Sequence, residues 1–287
     1  MSDFFKYHAL GNDYLVIDPN EIEKDFVLTK DKIRLICNRN YGVGADGILY
    51  GPIIKDKLIN FQIFNPDGSE AEKSGNGIRI FALYLLDKKY ISGTKCDLYT
   101  KGGKVSVEVI DTITNLIKVE IGEYSFISVK IPVHCPQHEA IDVDLEILGK
   151  IEKINCVTVG NPHCVIFKKN VIPEFAKTFG PYLENNAFFH NKTNVQIVEI
   201  VDTSNIKIEI WERGAGYTLS SGTSSAAASC VAFRHGLVKN SVTVHMPGGT
   251  ILVEIDNNIV YITGTVNRIF RGDFDYDFKF SHVSKFF

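Results

Sequence analysis

Two glycine-rich stretches decide the fold: Asn65-Pro-Asp-Gly-Ser-Glu-Ala-Glu-Lys-Ser-Gly-Asn-Gly77 and Trp211-Glu-Arg-Gly-Ala-Gly-Tyr-Thr-Leu-Ser-Ser-Gly-Thr-Ser224. In each stretch a Ser-Gly step leads into an apolar run that predicts a helix. The first N–H groups of a helix have no partner within it, and the helix dipole is positive at that end. Ser74 and Ser221 are therefore predicted to mark two helix starts that favour an anion, although Ser is also a common N-cap residue.

The residues around the two stretches match each other in the same order along the chain. The matched pairs are Gly11-Asn12 with Gly160-Asn161 at an offset of 149 residues, Ser74-Gly75 with Ser221-Gly222 at 147, and Gly102-Gly103 with Gly248-Gly249 at 146. Matches in order at a nearly constant spacing indicate an internal repeat. The sequence therefore predicts a duplicated chain.

Each half also predicts the same elements in the same order. The predicted strands and helices are residues 14–17, 78–90 (helix), 104–110 and 116–121, then 195–201, 224–237 (helix), 250–255 and 259–263. We expect an α+β fold of two domains related by a pseudo-twofold axis, each an antiparallel or mixed sheet wrapped around a central helix. The expected domains are residues 1–124 with 266–287, and residues 125–265. The last segment, 269–287, is expected to rejoin the first domain.

A pseudo-twofold axis has a consequence for the two helix starts. If both starts grip one carboxylate, Ser74 and Ser221 stand on opposite faces of the carbon attached to it. That geometry suits inversion of a stereocentre.

Charge and composition exclude several classes of partner. The 287 residues include 31 Lys and Arg against 34 Asp and Glu, a net charge of -3, with no long run of either sign. Since nucleic acid and lipid headgroups are bound by basic surfaces, we expect neither nucleic acid nor a membrane as a partner. The first residues lack an apolar leader, and the most apolar helix candidate, 78–86, is too short to span a bilayer. We expect a cytoplasmic protein.

The cysteines do not indicate a metal or redox centre. None of the six belongs to a Cys-x-x-Cys pair, so most are expected to be reduced apolar side chains. His134, Cys135 and His138 lie close together, but they stand in a predicted loop beside prolines and a metal site needs further ligands. We expect no metal.

Several motifs resemble the diaminopimelate epimerase family over nearly the whole chain. They are His8-Ala-Leu-Gly-Asn-Asp13, Gly42-Val-Gly-Ala-Asp46, Asn65-Pro-Asp-Gly-Ser-Glu70, Ser74-Gly-Asn-Gly77, Gly160-Asn-Pro-His163, Gly180-Pro-Tyr-Leu-Glu184, Thr193-Asn-Val195, Glu212-Arg-Gly-Ala-Gly216 and Ser221-Gly-Thr223. The resemblance implies an isomerase that inverts an amino-acid α-carbon with no cofactor, neither pyridoxal phosphate nor metal. It also implies a small-molecule amino-acid substrate, lysine biosynthesis as the setting, and a possible homodimer.

The resemblance places the binding residues one by one. It implies a distal carboxylate held by Asn65, Asn161, Asn194 and Arg213, with Asn12 lining the same pocket, an ammonium facing Glu212, and a reacting carboxylate on the amides of Gly75, Asn76, Gly222 and Thr223. A planar guanidinium donates two hydrogen bonds to a carboxylate at once. The expected substrate is LL- or meso-diaminopimelate, or a similar amino acid with a polar distal end.

At the two catalytic positions the chain departs from the family, which uses a pair of cysteines. Ser74 and Ser221 occupy those positions, and none of the six cysteines does. A cysteine titrates near ~8.5, whereas a serine hydroxyl is weak until an adjacent base activates it. Tyr217 and Ser224-Ser225 also depart from the family pattern, which indicates a divergent natural branch.

Two groups of residues are alternative bases. His163 and Glu212 match family residues beside the catalytic cysteines, so either is a candidate to deprotonate a serine or to act directly. The other group is the first-loop carboxylates Asp67, Glu70 and Glu72. A buried structural role for His163 and a turn-stabilising role for Asp67 remain open.

Three functions are consistent with these residues. The first is an epimerase or racemase with Ser74 and Ser221 at the catalytic positions. The second is a related proton-shift isomerase or lyase that uses His163 or a carboxylate. The third is a catalytically inactive protein that binds an amino acid.

Overall fold

The structure is a computed structural model that describes residues 2–22 and 26–274. The chain divides into two compact units, one of residues 1–119 with 265–287 and the other of residues 120–264. We describe each unit by itself.

The described part of the first unit contains two helices and nine strands, of which the strand at residues 116–123 extends past the unit's boundary at residue 119. They are β1 (Ser2–Ala9), β2 (Asn12–Ile17), α1 (Lys30–Cys37), β3 (Ile48–Lys55), β4 (Leu58–Phe64), β5 (Glu70–Ala71), α2 (Gly75–Asp87), β6 (Lys95–Thr100), β7 (Gly103–Asp111) and β8 (Leu116–Glu123), and, from the end of the chain, β18 (Asn267–Phe274). Their order in the sheet is β18-β1-β2-β3-β4-β6-β7-β8, with β5 beside the end of β4. The pairs β2–β3 and β4–β6 are parallel and the others antiparallel.

The second unit repeats this arrangement. Its elements are a short 3-10 helix (Ser128–Lys130), β9 (Val143–Ile147), β10 (Lys150–Thr158), β11 (Pro162–Phe167), α3 (Pro173–Glu184), β12 (Asn194–Asp202), β13 (Asn205–Glu212), β14 (Gly216–Thr218), α4 (Gly222–Arg234), β15 (Ser241–Met246), β16 (Gly249–Asp256) and β17 (Ile259–Thr265). The order is β9-β10-β11-β12-β13-β15-β16-β17, with β14 beside β13. As in the first unit, two pairs are parallel, here β11–β12 and β13–β15, and the others are antiparallel.

The register of the strands confirms that the two units are copies. Leu15 of β2 lies opposite Ile48 of β3, and Cys164 of β11 lies opposite Val195 of β12. These pairs are related by the offsets of 149 and 147 residues that the sequence shows. The predicted duplicated α+β fold is confirmed.

A buried helix forms the centre of each unit. Every residue of α2 from Gly75 to Leu85, and every residue of α4 from Gly222 to Ala232, is buried. The helix α2 packs against β1, β2, β3 and β7, and α4 packs against β10, β11, β12, β13, β15 and β16. Each sheet therefore wraps around its helix, as predicted.

Both central helices begin and end three residues or so earlier than the apolar runs predict. Ser74 and Ser221 are the N-caps, so Gly75 and Gly222 are already helical. The first helix ends at Asp87 because Lys89 has a left-handed backbone with φ of 61°. An apolar run marks the buried part of a helix, whereas its ends are set by capping groups.

The end of the described chain belongs to the first unit. Strand β18 pairs antiparallel with β1, from Ser2 opposite Phe274 to His8 opposite Asn267. Of the segment that was expected to rejoin the first domain, residues 269–274 thus lie in β18 beside β1, and residues 275–287 lie outside the described part. No helix in the described residues is long and apolar enough to cross a membrane.

The packing of α3 on β13 provides a test of the second unit. A Cβ atom at Gly180 would lie 2.3 Å from Cγ of Trp211, so Gly180→Ala forces the indole to move. Overpacking of this kind costs about 1–3 kcal/mol. We expect a lower midpoint of urea unfolding for this variant. The control is Gly93→Ala, because a Cβ there has no atom within 4 Å; equal midpoints for the two variants would contradict the packing described.

Candidate active site

The start of α2 places Ser74 between a backbone amide and a phenol. Ser74 has an extended backbone, and its Oγ accepts a hydrogen bond of 3.0 Å from the N–H of Gly77. The Oη atom of Tyr14, from β2, lies 3.1 Å from the same Oγ. The sequence predicted the capping serine but not the tyrosine.

A line of polar side chains fixes Asn12 and Asn76 beside this helix start. Asn76 donates from Nδ2 to Oδ1 of Asn12 over 3.1 Å, and Asn12 donates in turn to Oδ2 of Asp46 over 2.9 Å. Nη2 of Arg79 donates to Oδ1 of Asn76 over 2.5 Å, and its Nη1 to the carbonyl of Gly75. Arg79 is fully buried, and burial lowers its pKa to about 9. The two predicted asparagines are therefore neighbours, held in one orientation.

Charged groups anchor the far end of this line. Arg39 donates to Oδ1 of Asp13 over 2.7 Å and to Oδ1 of Asp46 over 2.6 Å, and Lys6 lies 2.8 Å from Asp13. Burial opposes ionisation of Asp13, but hydrogen bonds from Arg39 and Lys6 outweigh it and lower its pKa. Burial and the nearby charge of Asp13 raise the pKa of Asp46. The ion pairs thus hold the acceptor on which Asn12 depends.

Asn65 lies in the turn that follows β4. Its Nδ2 donates to Oγ of Ser69 over 3.0 Å, and Oδ1 of Asp67 accepts from the N–H and the Oγ of the same serine at 2.8 and 2.6 Å. Burial raises the pKa of Asp67, but the two bonds from Ser69 outweigh this and leave it below its usual value. Asp67 thus has the turn-stabilising contacts that the sequence left open. Of the other carboxylates, Glu70 accepts from Gln62 at 3.4 Å, and Glu72 also has a partner.

The start of α4 places Ser221 in a more enclosed setting. Its side chain is 4% exposed, and its Oγ accepts from the N–H of Ser224 over 3.3 Å. Oγ1 of Thr223 lies 3.5 Å away, and Oγ of Ser225 donates to the carbonyl of Ser221 over 2.8 Å. Gly222 and Thr223, both predicted to hold a carboxylate, are buried in the first turn of α4.

His163 is a buried, neutral imidazole on β11. Its Nε2 lies 2.9 Å from Oδ1 of Asn161, which can only accept, so Nε2 carries the proton. Burial lowers the pKa of His163 to about 3. The nearby charge of Arg213 lowers this pKa further, whereas the side chain of Gln196 raises it in part. In the neutral ring, Nδ1 and Oε1 of Gln196 have no hydrogen-bond partner among the described residues. Nε2 of Gln196 donates to Oγ of Ser224 over 3.0 Å, which links the strand to the start of α4.

Asn194 positions the turn that carries Glu212 and Arg213. Its Nδ2 donates to the carbonyl of Pro162 over 2.8 Å, and its Oδ1 accepts from the N–H of Arg213 over 3.0 Å. The guanidinium of Arg213 also donates from Nη1 to the carbonyl of Asn191 over 3.1 Å. Glu212 is half-buried at the end of β13 and has a partner of its own. The structure thus brings Asn194 and Arg213 into direct contact.

Glu184, the last residue of the Gly180–Glu184 motif, hydrogen-bonds to the residues on either side of this turn. It ends α3 and is 7% exposed. Its Oε2 accepts from Nε1 of Trp211 over 2.8 Å, and its Oε1 accepts from the N–H of Gly214 over 3.0 Å. Lys192 lies 3.5 Å from the same Oε1. Glu184 therefore fixes the residues on both sides of Glu212 and Arg213.

The predicted residues other than Asn65, whose side chain bonds within its own turn, fall into two clusters, one in each unit. The cluster of the first unit contains Asn12, Ser74, Gly75 and Asn76, and that of the second contains Asn161, His163, Asn194, Glu212, Arg213, Ser221, Gly222 and Thr223. Sequence reasoning missed Tyr14, Gln196, Arg79 and Glu184. Gln196 and Arg79 are polar residues within apolar runs, which was the available signal; Tyr14 gave none, because tyrosine is common in strands.

Comparison with known proteins identifies the family. The model of the diaminopimelate epimerase family matches residues 4–127 and 155–269. The chain belongs to the diaminopimelate epimerase family. It is 46% identical over 272 residues to diaminopimelate epimerase 2 of Nostoc sp., which covers 94% of each chain. It is 37% identical over 276 residues to the diaminopimelate epimerase of Caldanaerobacter subterraneus subsp. tengcongensis, covering 95% of this chain and 99% of that protein.

Solved structures show the same fold at low sequence identity. A hydroxyproline epimerase from Agrobacterium vitis has a TM-score of 0.70 and 13% identity, covering 94% of this chain and 91% of that one. A phenazine biosynthesis protein of the PhzF family from Enterococcus faecalis has a TM-score of 0.64 and 14% identity, covering 96% of this chain and 100% of that one. The predicted family, fold and enzyme class, an isomerase, are confirmed.

The contacts of Glu184 predict the effect of Glu184→Gln. The amide keeps the shape but has only one oxygen, so it cannot accept from both Trp211 and Gly214. A buried donor without an acceptor costs about 1–3 kcal/mol. We expect a lower unfolding midpoint and a changed fluorescence of Trp211, the chain's only tryptophan. The exposed Glu146→Gln is the control, and an unchanged spectrum in Glu184→Gln would contradict the role assigned.

The buried imidazole predicts a pH dependence of stability. Because the pKa of His163 is about 3 in the folded chain and 6.5 ordinarily, the unfolded chain binds a proton first as the pH falls. Stability is therefore lost below about pH 6.5, by about 2 kcal/mol between pH 7 and pH 5 from this group alone. In His163→Gln that part of the loss is expected to vanish, as measured by urea unfolding at both pH values.

A matched histidine provides the control for this measurement. Nε2 of His245 also lies 2.9 Å from an asparagine Oδ1, that of Asn205, but the ring is only half-buried. We expect His245→Gln to keep the pH dependence of the parent. If the pH dependence of stability decreased equally in both variants, or in neither, the burial of His163 would not be the cause of that dependence.

Proposed function

We propose that this protein inverts, or exchanges the proton of, the α-carbon of an amino acid without a cofactor. The proposed substrate is LL- or meso-diaminopimelate, or a similar amino acid with a polar distal end. The observation that carries the proposal is the serine that caps the buried central helix of each unit, at the positions of the family's catalytic residues. The names of the curated relatives, which this chain matches over nearly its whole length, support the substrate.

The helix starts are suited to the carboxylate that adjoins the reacting carbon. Backbone N–H groups of the first turn of α2 and of α4 point away from their helices, and the helix dipole adds positive potential there. Developing negative charge on a carboxylate bound at such a start is stabilised by fixed dipoles. An α-proton is weakly acidic, so the reaction needs this stabilisation.

The second unit contains groups suited to the distal end of the substrate. The guanidinium of Arg213 is positioned by Asn191, and its backbone is held by Asn194. A guanidinium pairs with a carboxylate through two parallel hydrogen bonds. Glu212, next in sequence, suits an ammonium group. Together they favour a substrate with both charges at its distal end, as diaminopimelate has.

The proposed chemistry is a proton exchange by the two serines. One serine, as the alkoxide, takes the proton from the α-carbon, and the electron pair stays on the substrate. The other serine, as the hydroxyl, then gives its proton to that carbon, and the roles reverse in the opposite direction. Oγ of Ser74 and of Ser221 each accept a backbone N–H, which stabilises the alkoxide.

The state of His163 favours this chemistry over the alternative in which histidine is the base. With a pKa of about 3, the ring is neutral at neutral pH but binds a proton weakly. Its Nε2 is also engaged with Asn161. General bases work best with a pKa near the working pH. His163 is therefore proposed as a substrate-orienting group and not as the base.

Exchange of the α-proton with solvent is the direct test. In D2O we expect deuterium to enter the α-position of diaminopimelate, measured by mass spectrometry and NMR. Replacing Ser74 or Ser221 by Ala is expected to slow the exchange by about 100-fold or more, the usual contribution of an acid or base. The double variant Ser74→Cys/Ser221→Cys is expected to be faster than the parent, because a thiol ionises more readily.

The control is Ser229→Ala, also on α4, whose Oγ has no hydrogen-bond partner among the described residues. It should exchange at the parent rate. Absence of exchange across a panel of amino acids, in the parent and in the double cysteine variant, would refute the proposal. If a ligand then raises the melting temperature without exchange, the protein is an inactive amino-acid binder. If instead the product changes mass or absorbance, the protein is a proton-shift isomerase or lyase.

A further inference from the structure

The environment of Ser74 differs from that of Ser221 in one respect, the phenol of Tyr14. Tyr14 is 7% exposed on β2, and its Oη lies 3.1 Å from Oγ of Ser74. We propose that Tyr14 is a positioning residue for proton transfer at Ser74, whose hydroxyl shares a proton with the phenol. The inference rests on the proposed function and adds a residue that the family motifs in this sequence do not assign.

The backbone around Tyr14 is shaped to admit its ring. A Cβ atom at Gly47 would lie 2.6 Å from Cε1 and 3.1 Å from Cδ1 of Tyr14. The carbonyl of Gly47 accepts from the N–H of Leu15, the next residue of β2, over 3.1 Å. The ring is therefore closely packed, and the phenol can reach Ser74 in only a narrow range of positions.

The hydrogen bonds at Ser74 decide what the phenol does there. Oγ of Ser74 already accepts the N–H of Gly77. When the phenol also donates, the oxygen accepts two hydrogen bonds, which favours the alkoxide because donors stabilise a charged acceptor. The proton of Ser74 itself then remains available for transfer. Among the described residues Ser221 has no hydrogen bond to a phenol; its side-chain neighbour is the hydroxyl of Thr223, at 3.5 Å.

The internal repeat places Tyr14 at the position that an imidazole occupies in the second unit. At the offset of 149 residues, Tyr14 corresponds to His163, since Gly11-Asn12 corresponds to Gly160-Asn161. Both rings stand two residues after the asparagine on equivalent strands, β2 and β11. In the second unit the ring has no hydrogen bond to Ser221 among the described residues, and its Nε2 is engaged with Asn161. In the first unit the ring contacts the serine directly.

The proton balance of the step is simple. Ser74, as the alkoxide, takes the proton from the α-carbon, and the electron pair remains on the substrate. The phenol keeps its own proton and donates its hydrogen bond to Oγ of Ser74. In the reverse direction the hydroxyl of Ser74 gives its proton to the carbon, and the phenol stabilises the alkoxide that is left. Loss of the phenol is thus expected to make the alkoxide of Ser74 harder to form.

The first experiment does not depend on substrate turnover. Ser74→Cys and the double variant Ser74→Cys/Tyr14→Phe are alkylated with iodoacetamide from about pH 6 to pH 10, and peptide mass spectrometry separates the introduced thiol from the six native cysteines. A thiolate can only accept, so the phenol must donate to it. We expect the titration of the thiol to move up by about one pH unit without the phenol, about a tenfold slower reaction near neutral pH. Superimposable profiles would overturn the inference.

The second experiment measures α-proton exchange in D2O. Tyr14→Phe is expected to lose at least tenfold in rate, and the rise of its rate with pH is expected to move to higher pH, because the alkoxide of Ser74 loses a donor. In the Ser74→Cys background the same change is expected to cost less, because a thiol needs less help. A loss equal in both backgrounds, with an unchanged pH profile, would indicate a merely structural role and refute the inference.

Tyr90→Phe is the matched control, because Oη of Tyr90 also donates to a side chain of the same unit, Oδ2 of Asp18, over 2.8 Å. It is expected to leave the exchange rate and its pH profile unchanged. Failure of every variant to exchange any amino acid counts against the proposed function, whereas the thiol titration still decides the role of Tyr14.

Discussion

A helix that is buried on every side must satisfy the N–H groups at its start, and the rest of each unit depends on how this is done. The first eleven residues of α2 and of α4 are buried. A buried N–H without an acceptor costs about 1–3 kcal/mol, so the start needs a cap, and Ser74 and Ser221 provide it. A short cap satisfies one donor and leaves the others of the first turn without an acceptor from the cap. The constraint that stabilises the fold therefore also creates the place at which we propose that a carboxylate binds.

Both units have a serine cap at the start of the buried helix, but the side chains around the cap differ between them. Register and offset place Gly47 and Asn194 at equivalent positions, and likewise Leu49 and Gln196. The small Gly47 admits the ring of Tyr14, whereas Asn194 uses its amide to hold the turn at Arg213. One unit thus has a phenol at its serine, and the other has the charged turn.

The sequence predicted what depends on local pattern and repetition. Glycine-rich steps before apolar runs located both capped helices, and the matched offsets predicted the duplicated sheets. It did not predict contacts between distant residues that lie inside apolar strands. Tyr14 and Ser74 are 60 positions apart, and Gln196 and Ser224 are 28 apart. A tyrosine in a strand is ordinarily a packing residue, so only the register of the folded sheet shows that its hydroxyl meets a serine.

The polar groups near the helix starts oppose folding, and this explains their arrangement. His163 is held neutral, and Arg79 loses much of its basicity, because burial penalises charge. Nδ1 of His163 and Nε of Arg79 have no hydrogen-bond partner within the described residues. Such groups persist only where the surrounding packing compensates for them, and the apolar length of α2 and α4 provides that packing. Each unit thus contains a polar side chain whose charge is penalised by burial, Arg79 in the first unit and His163 in the second.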